Sequence, residues 1–232
     1  MSTLNVLFGY GSIINPCSRQ STLSKPNVPA VNVRLLPGFG HIRSWCFRST
    51  TGFTALGIEK AKPGQEASIN GVLFPVCMPL SGSAATDEPS DMSAFDEREV
   101  GYTRTRIDLA HIELNPYQAP QQQSDSPMVM SLTSLKDKLP FSSQSQHSHA
   151  QTVTKQLIAR FAPEPEEGAG DGTIFTRVDV WVYVPALTQP PSQDYPLVQS
   201  YIDTVYTYTH PTHTHLHSLF LSLASVNHPF LS

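Results

Sequence analysis

The sequence predicts an α+β fold: short strand-like runs follow one another at hairpin spacing, Gly, Pro and Ser/Thr punctuate them, and the few helical stretches do not alternate regularly with them. A small barrel is one way to arrange such strands. At 232 residues, 39% hydrophobic and 15% charged, the chain can bury one sizeable core, or one core plus an irregular appendage.

The first element runs from Leu4 to Tyr10, mostly β-formers, and closes at Gly9 and Gly11, so it reads as a strand delivered into a tight loop. Asn15 followed by Pro16 is an N-cap with proline at the first helical position, opening a short helix through Arg19 to Leu23. VNVRLLPGF, HIRSWCFRS, FTALGIEKA and ASINGVLFPV are each about a strand long and closely spaced, which predicts hairpins. In SDMSAFDEREVGYTRTRIDL, Ser90 caps a short helix through Glu97, and Gly101 turns the chain into another strand. TRVDVWVYVP reads as a strong strand and YPLVQSYIDTVY as an amphipathic helix.

Two regions do not fit a packed domain. Within 118–172, PQQQSDSP, SSQSQHSHAQ and PEPEEGAGDG hold too few apolar residues to offset ordering entropy. A mostly disordered insertion is expected there, with a helix near Thr152 to Phe161. The second region, 207–232, is a Thr/His-rich tail with almost no charge and no helical or strand period. One domain is therefore expected over 1–206. The abrupt break in composition marks the tail as a misread intron or read-through; uninterrupted coding sequence across residue 206 in transcripts would overturn that expectation. His213, His215 and His217 alternate and would share one face of a strand, but no carboxylate, cysteine or supporting partner lies nearby, so no metal is expected.

A formal net charge of −4 leaves no basic excess to neutralise a phosphate backbone, which argues against nucleic acid and for a small-molecule ligand. Cys17, Cys46 and Cys77 are odd in number and lack CxxC spacing, which fits free thiols in a reducing compartment. MSTLNVLF has no basic flank and too short an apolar run for a signal peptide, and no stretch approaches the roughly 20 apolar residues of a spanning helix. A cytoplasmic protein without a membrane partner is expected; the oligomeric state is not readable.

Two stretches carry chemistry. In Phe8-Gly9-Tyr10-Gly11-Ser12 a dinucleotide fingerprint would need a third glycine where Ile14 stands, and no Gly-Lys-Ser/Thr follows for a Walker loop. The same glycines let the backbone approach a smaller ligand, and successive N–H groups with the Ser12 hydroxyl suit one carboxylate. A tight turn with no ligand is the plain alternative. In Phe95-Asp96-Glu97-Arg98-Glu99-Val100-Gly101-Tyr102 a solvated helix end is the ordinary reading of the charge run. Glu99, however, sits at the helix-to-strand transition, where a carboxylate can point inward and be raised towards the range of a general base.

Taken together, FGYGSIINP, INGVLFPV and FDEREVGYTR resemble the γ-glutamylcyclotransferase-like superfamily, whose members carry a YGS-type loop after the first strand and a glutamate in an RE-x-GY-like context. LPGFGHIRSWCFRS, GFTALGIEKA, VDVWVYVP and YPLVQSYIDTV extend the resemblance over most of 4–117 and about 175–206. It implies a mixed β-barrel with flanking helices, and release of 5-oxoproline from a γ-glutamyl compound without a cofactor. By position, Gly9, Tyr10, Gly11 and Ser12 would hold the γ-glutamyl group, flanked by Phe8 and Ile13. Glu99 would be the acid/base, and Tyr102 would join the substrate site. Ile13 stands where relatives commonly have leucine or asparagine. The rival is a non-catalytic binding module that keeps the pocket, and Glu99 favours the enzyme. Glutathione, γ-glutamyl dipeptides and γ-glutamyl amines are all candidate substrates. Arg43, Arg48, Arg104 and Arg106 could grip the second carboxylate that glutathione would bring, although a surface or structural arginine is the ordinary reading of each.

Overall fold

The computed structural model describes residues 2–77, 90–114, 143–162 and 174–209. Its centre is a six-stranded mixed sheet built from β1 (Ser2–Gly9), β2 (Val31–Leu35), β5 (Ile69–Pro75), β6 (Tyr102–Ile107), β7 (Ile112–Leu114) and β8 (Phe175–Pro185). Their spatial order is β6-β8-β1-β5-β2-β7. β1 lies parallel to β8, with Phe8 opposite Val182, and antiparallel to β5, with Phe8 opposite Leu73. The intervening β3 (His41–Arg48) and β4 (Thr54–Lys60) form a separate antiparallel hairpin.

Strand alternation explains why this sheet is buried on both faces. Leu4, Val6 and Phe8 of β1 join Leu73, Val180 and Val182 in one core cluster, while Leu7, Val72 and Phe74 point into the other. The first face also receives Ile58 of the hairpin and helix α3 (Ser143–Phe161). The second is covered by the loop around Ile13 and Ile14 and by Met92 and Phe95 of α2 (Asp91–Arg98).

The mixed α+β class agrees with the sequence reading, but the barrel does not close. β6 and β7 are the two edges, and among the described residues no pairing joins them. Hairpin spacing reveals local partners such as β3 and β4, whereas β6 and β7, consecutive in the chain, lie at opposite edges of the sheet, a placement that spacing does not disclose. Helix α3 includes the helix expected near Thr152 to Phe161 and departs from expectation only in extending upstream to Ser143, into the stretch read as mostly disordered. Its N-terminal half, SQSQHSHA, is polar on all sides in sequence. The fold needs only one stripe, and Val153, Leu157 and Phe161 recur every four residues and are buried against the sheet. The rest of the expected insertion and the histidine tail lie outside the described residues.

Local signals set the short helices. Asn15 caps α1 (Pro16–Gln20), its Oδ1 accepting from the N–H groups of Cys17 and Ser18 at 2.8 and 3.2 Å. The helix stops earlier than the sequence pattern predicts, and Leu23 is buried from the loop beyond it. Ser90 caps α2, its Oγ accepting from Ser93 N–H at 3.1 Å. After α2, Gly101 adopts φ +89°, and a Cβ there would stand 2.9 Å from the Phe47 ring. Gly101→Ala is therefore expected to destabilise the fold by about 1–3 kcal/mol, read as a lower urea midpoint at unchanged slope. The last described element, α4 (Gln199–Thr209), packs Tyr201 and Val205 against Leu56 and Trp45. No described helix is long and apolar enough to cross a membrane.

Candidate active site

Where β1 ends, its chain turns over a cavity of about 270 Å³. The turn is a single 3₁₀ turn, Ser12–Ile14, closed by Ile14 N–H to Gly11 O and Asn15 N–H to Ser12 O, both at 3.0 Å. Among the described residues the N–H groups of Gly11 and Ile13 donate to no backbone carbonyl, while the Ser12 backbone bonds the Tyr201 hydroxyl. Arg19, 6% exposed on α1, holds the turn from behind, its Nη1 donating to the carbonyls of Ile13 and Ile14 at 3.1 and 3.0 Å. Its guanidinium also lies over the Phe74 ring. Burial lowers the pKa of Arg19 from its ordinary value. A Cβ at position 11 would come within 3.3 Å of the Tyr201 hydroxyl, so a larger residue there would press on that side chain.

Opposite the turn stands the C-terminal end of α2. Glu99 ends the helix with φ −90° and ψ 48°, while its N–H still bonds Phe95 O at 2.9 Å. That backbone break turns the side chain inward, where it is 14% exposed. Burial pushes the Glu99 carboxyl above its ordinary 4.5, and the Arg98 guanidinium, with Nε 3.2 Å from Oε1, opposes the rise without cancelling it.

Arg98 does more than pair with its neighbour. Its Nη1 donates to Ser18 O and, at 2.9 Å, to Thr22 Oγ1. Its Nη2 donates to Ser18 Oγ at 2.7 Å and to Ser12 Oγ at 3.4 Å. One planar cation thus fastens the glutamate, α1 and the glycine loop to each other.

Four tyrosines enclose the same space. Tyr10 donates from its hydroxyl to Tyr183 O at 2.7 Å, and Tyr102 donates to Leu56 O at 3.1 Å. Tyr183 donates to Asp96 Oδ1 at 2.8 Å, while the Tyr201 hydroxyl bonds Ser12 and the Leu56 backbone. Burial raises all four phenols, and the negative charge of Glu99 adds to it; Tyr201 is pushed up to about 12. They are neutral hydroxyls near pH 7.

Phe8, Gly9, Tyr10, Gly11, Ser12, Ile13, Glu99 and Tyr102, singled out in the sequence, all line this one cavity. Phe8 and Ile13 are 1% and 7% exposed and belong to its floor, and the Tyr10 hydroxyl is committed to Tyr183. Arg98, Tyr183, Tyr201 and Phe47 were not foreseen. Arg98 lay inside the charge run beside Glu99, whereas nothing local marks Tyr183 or Tyr201. The candidate carboxylate-binding arginines lie elsewhere. Arg43 donates to Tyr10 O and Asn70 O, Arg48 to Pro190 O, Arg104 to Asp96 and Arg106 to Asp179, and none of the four lines the cavity.

No protein-family sequence pattern matches this chain, and no curated protein does. Among solved structures, a gamma-glutamyl cyclotransferase is similar to it at 12% identity and a TM-score of 0.47, over 99% of this chain and 92% of that one.

Proposed function

We propose that this protein releases 5-oxoproline from a γ-glutamyl compound, by attack of the substrate's own α-amine on its γ-carbonyl. One observation carries the reading: the Gly9–Ser12 loop and a buried, proton-accepting Glu99, distant in sequence, line the same small cavity.

The chemistry is a ring closure. The α-nitrogen forms a bond to the γ-carbon, the bond from that carbon to the leaving nitrogen breaks, and the products are 5-oxoproline and a free amine. Both reacting groups belong to one molecule, so holding it folded removes much of the entropic barrier. The N–H groups of Gly11 and Ile13, which bond no backbone carbonyl, suit an α-carboxylate or the oxyanion of the tetrahedral intermediate. The α-amine must be neutral to attack. Glu99 as carboxylate accepts its proton and returns one to the leaving nitrogen, so no proton is consumed overall.

The sign of the pH dependence follows. Glu99 must be ionised, and its pKa is raised, so kcat/KM is expected to fall on the acid side with a midpoint above 4.5. Arg98→Gln removes the charge that opposes the rise and is expected to move that limb to still higher pH. A limb unmoved by the substitution, in a pH–rate profile of both proteins, would contradict the assignment of Glu99 as base.

The reading is tested by mass-spectrometric detection of 5-oxoproline after incubating purified protein with glutathione, γ-glutamyl-alanine and γ-glutamyl-ethylamide. Release from at least one is expected. Binding of these compounds to folded protein with no release from any would leave a binding module in place of an enzyme.

A further inference from the structure

The charge inventory of the cavity narrows the leaving group, on the premise that the cyclotransferase reading holds. Among its described lining residues the charged side chains are Arg98 and Glu99 alone. They lie against each other, and the remaining Arg98 donors are taken by Ser12, Ser18 and Thr22. The pair brings no net charge, and the glycine loop offers the N–H groups of Gly11 and Ile13, enough for the α-carboxylate that every γ-glutamyl compound carries.

A second carboxylate on the leaving group would meet a different wall. Away from the loop the cavity is bounded by Phe47, tilted against Tyr102 with ring centroids 4.1 Å apart, by Phe53, whose ring centroid is 5.1 Å from that of Tyr201, and by Val100, 63% exposed. Ser49 and Thr50 supply its polar edge. No described cation lines this side. A carboxylate placed there would give up water for aromatic surface and would be repelled by the ionised Glu99 that the reaction requires. An alkyl or aryl group would be buried favourably, each methylene being worth about fourfold in affinity.

We infer that the substrates are γ-glutamyl amides of uncharged, apolar amines, and that glutathione and γ-glutamyl amino acids are poor substrates, because the leaving-group side of the cavity is aromatic and no cation is among its described lining residues.

The decisive comparison is between γ-glutamyl-ethylamide and γ-glutamyl-alanine, whose leaving groups differ only by the carboxylate, with γ-glutamyl-butylamide and glutathione alongside. The kcat/KM for 5-oxoproline release from the ethylamide is expected to exceed that from γ-glutamyl-alanine and from glutathione by about tenfold or more, and to rise further for the butylamide. In Thr50→Arg, which places a cation at the exposed edge, the ratio of ethylamide to γ-glutamyl-alanine is expected to narrow several-fold. γ-Glutamyl-alanine or glutathione turned over as well as the ethylamide would overturn the inference and leave the cyclotransferase reading standing. A ratio unchanged in Thr50→Arg would count against it in the same way. No 5-oxoproline from any of the four compounds would overturn both.

Discussion

Glu99→Gln is expected to reduce 5-oxoproline release by about 10²–10⁴-fold while the protein stays folded, since proton transfer by a positioned side chain accounts for rate factors of that size. The amide keeps the shape of the carboxylate and its place beside Arg98 Nε, but it cannot accept the proton of the α-ammonium group. The loss belongs in kcat, with KM moved less, because the glycine loop and not Glu99 is assigned the grip on the γ-glutamyl group.

Stability should move the other way. The folded state holds the Glu99 carboxyl above its ordinary pKa, so folding favours the protonated form. That contribution is present below the unfolded value and is lost as pH rises through the folded one. Above it, wild type carries a buried, incompletely compensated charge and the glutamine variant does not. Thermal melts of the two proteins should therefore diverge with rising pH, the variant gaining relative to wild type. A group that stabilises its fold when replaced yet abolishes turnover is what a reactive carboxylate looks like. Full activity in Glu99→Gln would remove the proposed mechanism.

The second large effect is structural. Asp91 is 3% exposed at the first turn of α2, and its two carboxylate oxygens accept Ser24 N–H at 2.7 Å and Cys77 N–H at 2.9 Å. It joins the loop after α1, the end of β5 and the start of the helix that carries Arg98 and Glu99. Burial alone would raise this carboxyl, but the backbone donors of Cys77 and Ser24 outweigh it and hold it below its ordinary 3.8. Its contribution is thus present above that value and lost as pH falls through the folded one. Asp91→Ala deletes two charge-assisted hydrogen bonds and a favourable helix N-terminal charge, for an expected loss of about 2–4 kcal/mol in urea unfolding at pH 7. Asp91→Asn keeps one acceptor oxygen and should lose less. Equal stability of wild type and Asp91→Ala at pH 7 would show that Asp91 does not bear this load.

What could be read from the chain beforehand was what neighbouring residues decide. Asn15 before Pro16 and Ser90 before Ser93 act within one turn, so the starts of α1 and α2 were visible. The Gly9–Ser12 loop and Glu99 stood out because glycine spacing and a carboxylate at a helix end are local facts. The parallel pairing of β1 with β8 was not visible, since both strands read as apolar runs whatever they lie beside. Helix α3 was visible only in its C-terminal half, where Val153, Leu157 and Phe161 form its apolar stripe; upstream, SQSQHSHA carries no such stripe to read. Tyr183 and Tyr201 reach the cavity from β8 and α4, and no spacing in the sequence connects them with Tyr10. The same holds for the Arg98 tether, whose partners Ser12, Ser18 and Thr22 lie in a different segment of the chain.

The strand order sets a sequence of events in folding. β6 is joined to the sheet only through β8, and Tyr10 bonds a partner 173 residues away at Tyr183. During synthesis the segment carrying Glu99 emerges well before β8, so the Glu99 carboxylate lacks part of its enclosing wall until that strand has been made. Closing so long a loop makes this a slow, late step, and a chain interrupted before residue 175 would lack not one strand but the link that brings β6 to β1. The cavity itself is complete only after Tyr183 and Tyr201 have been made.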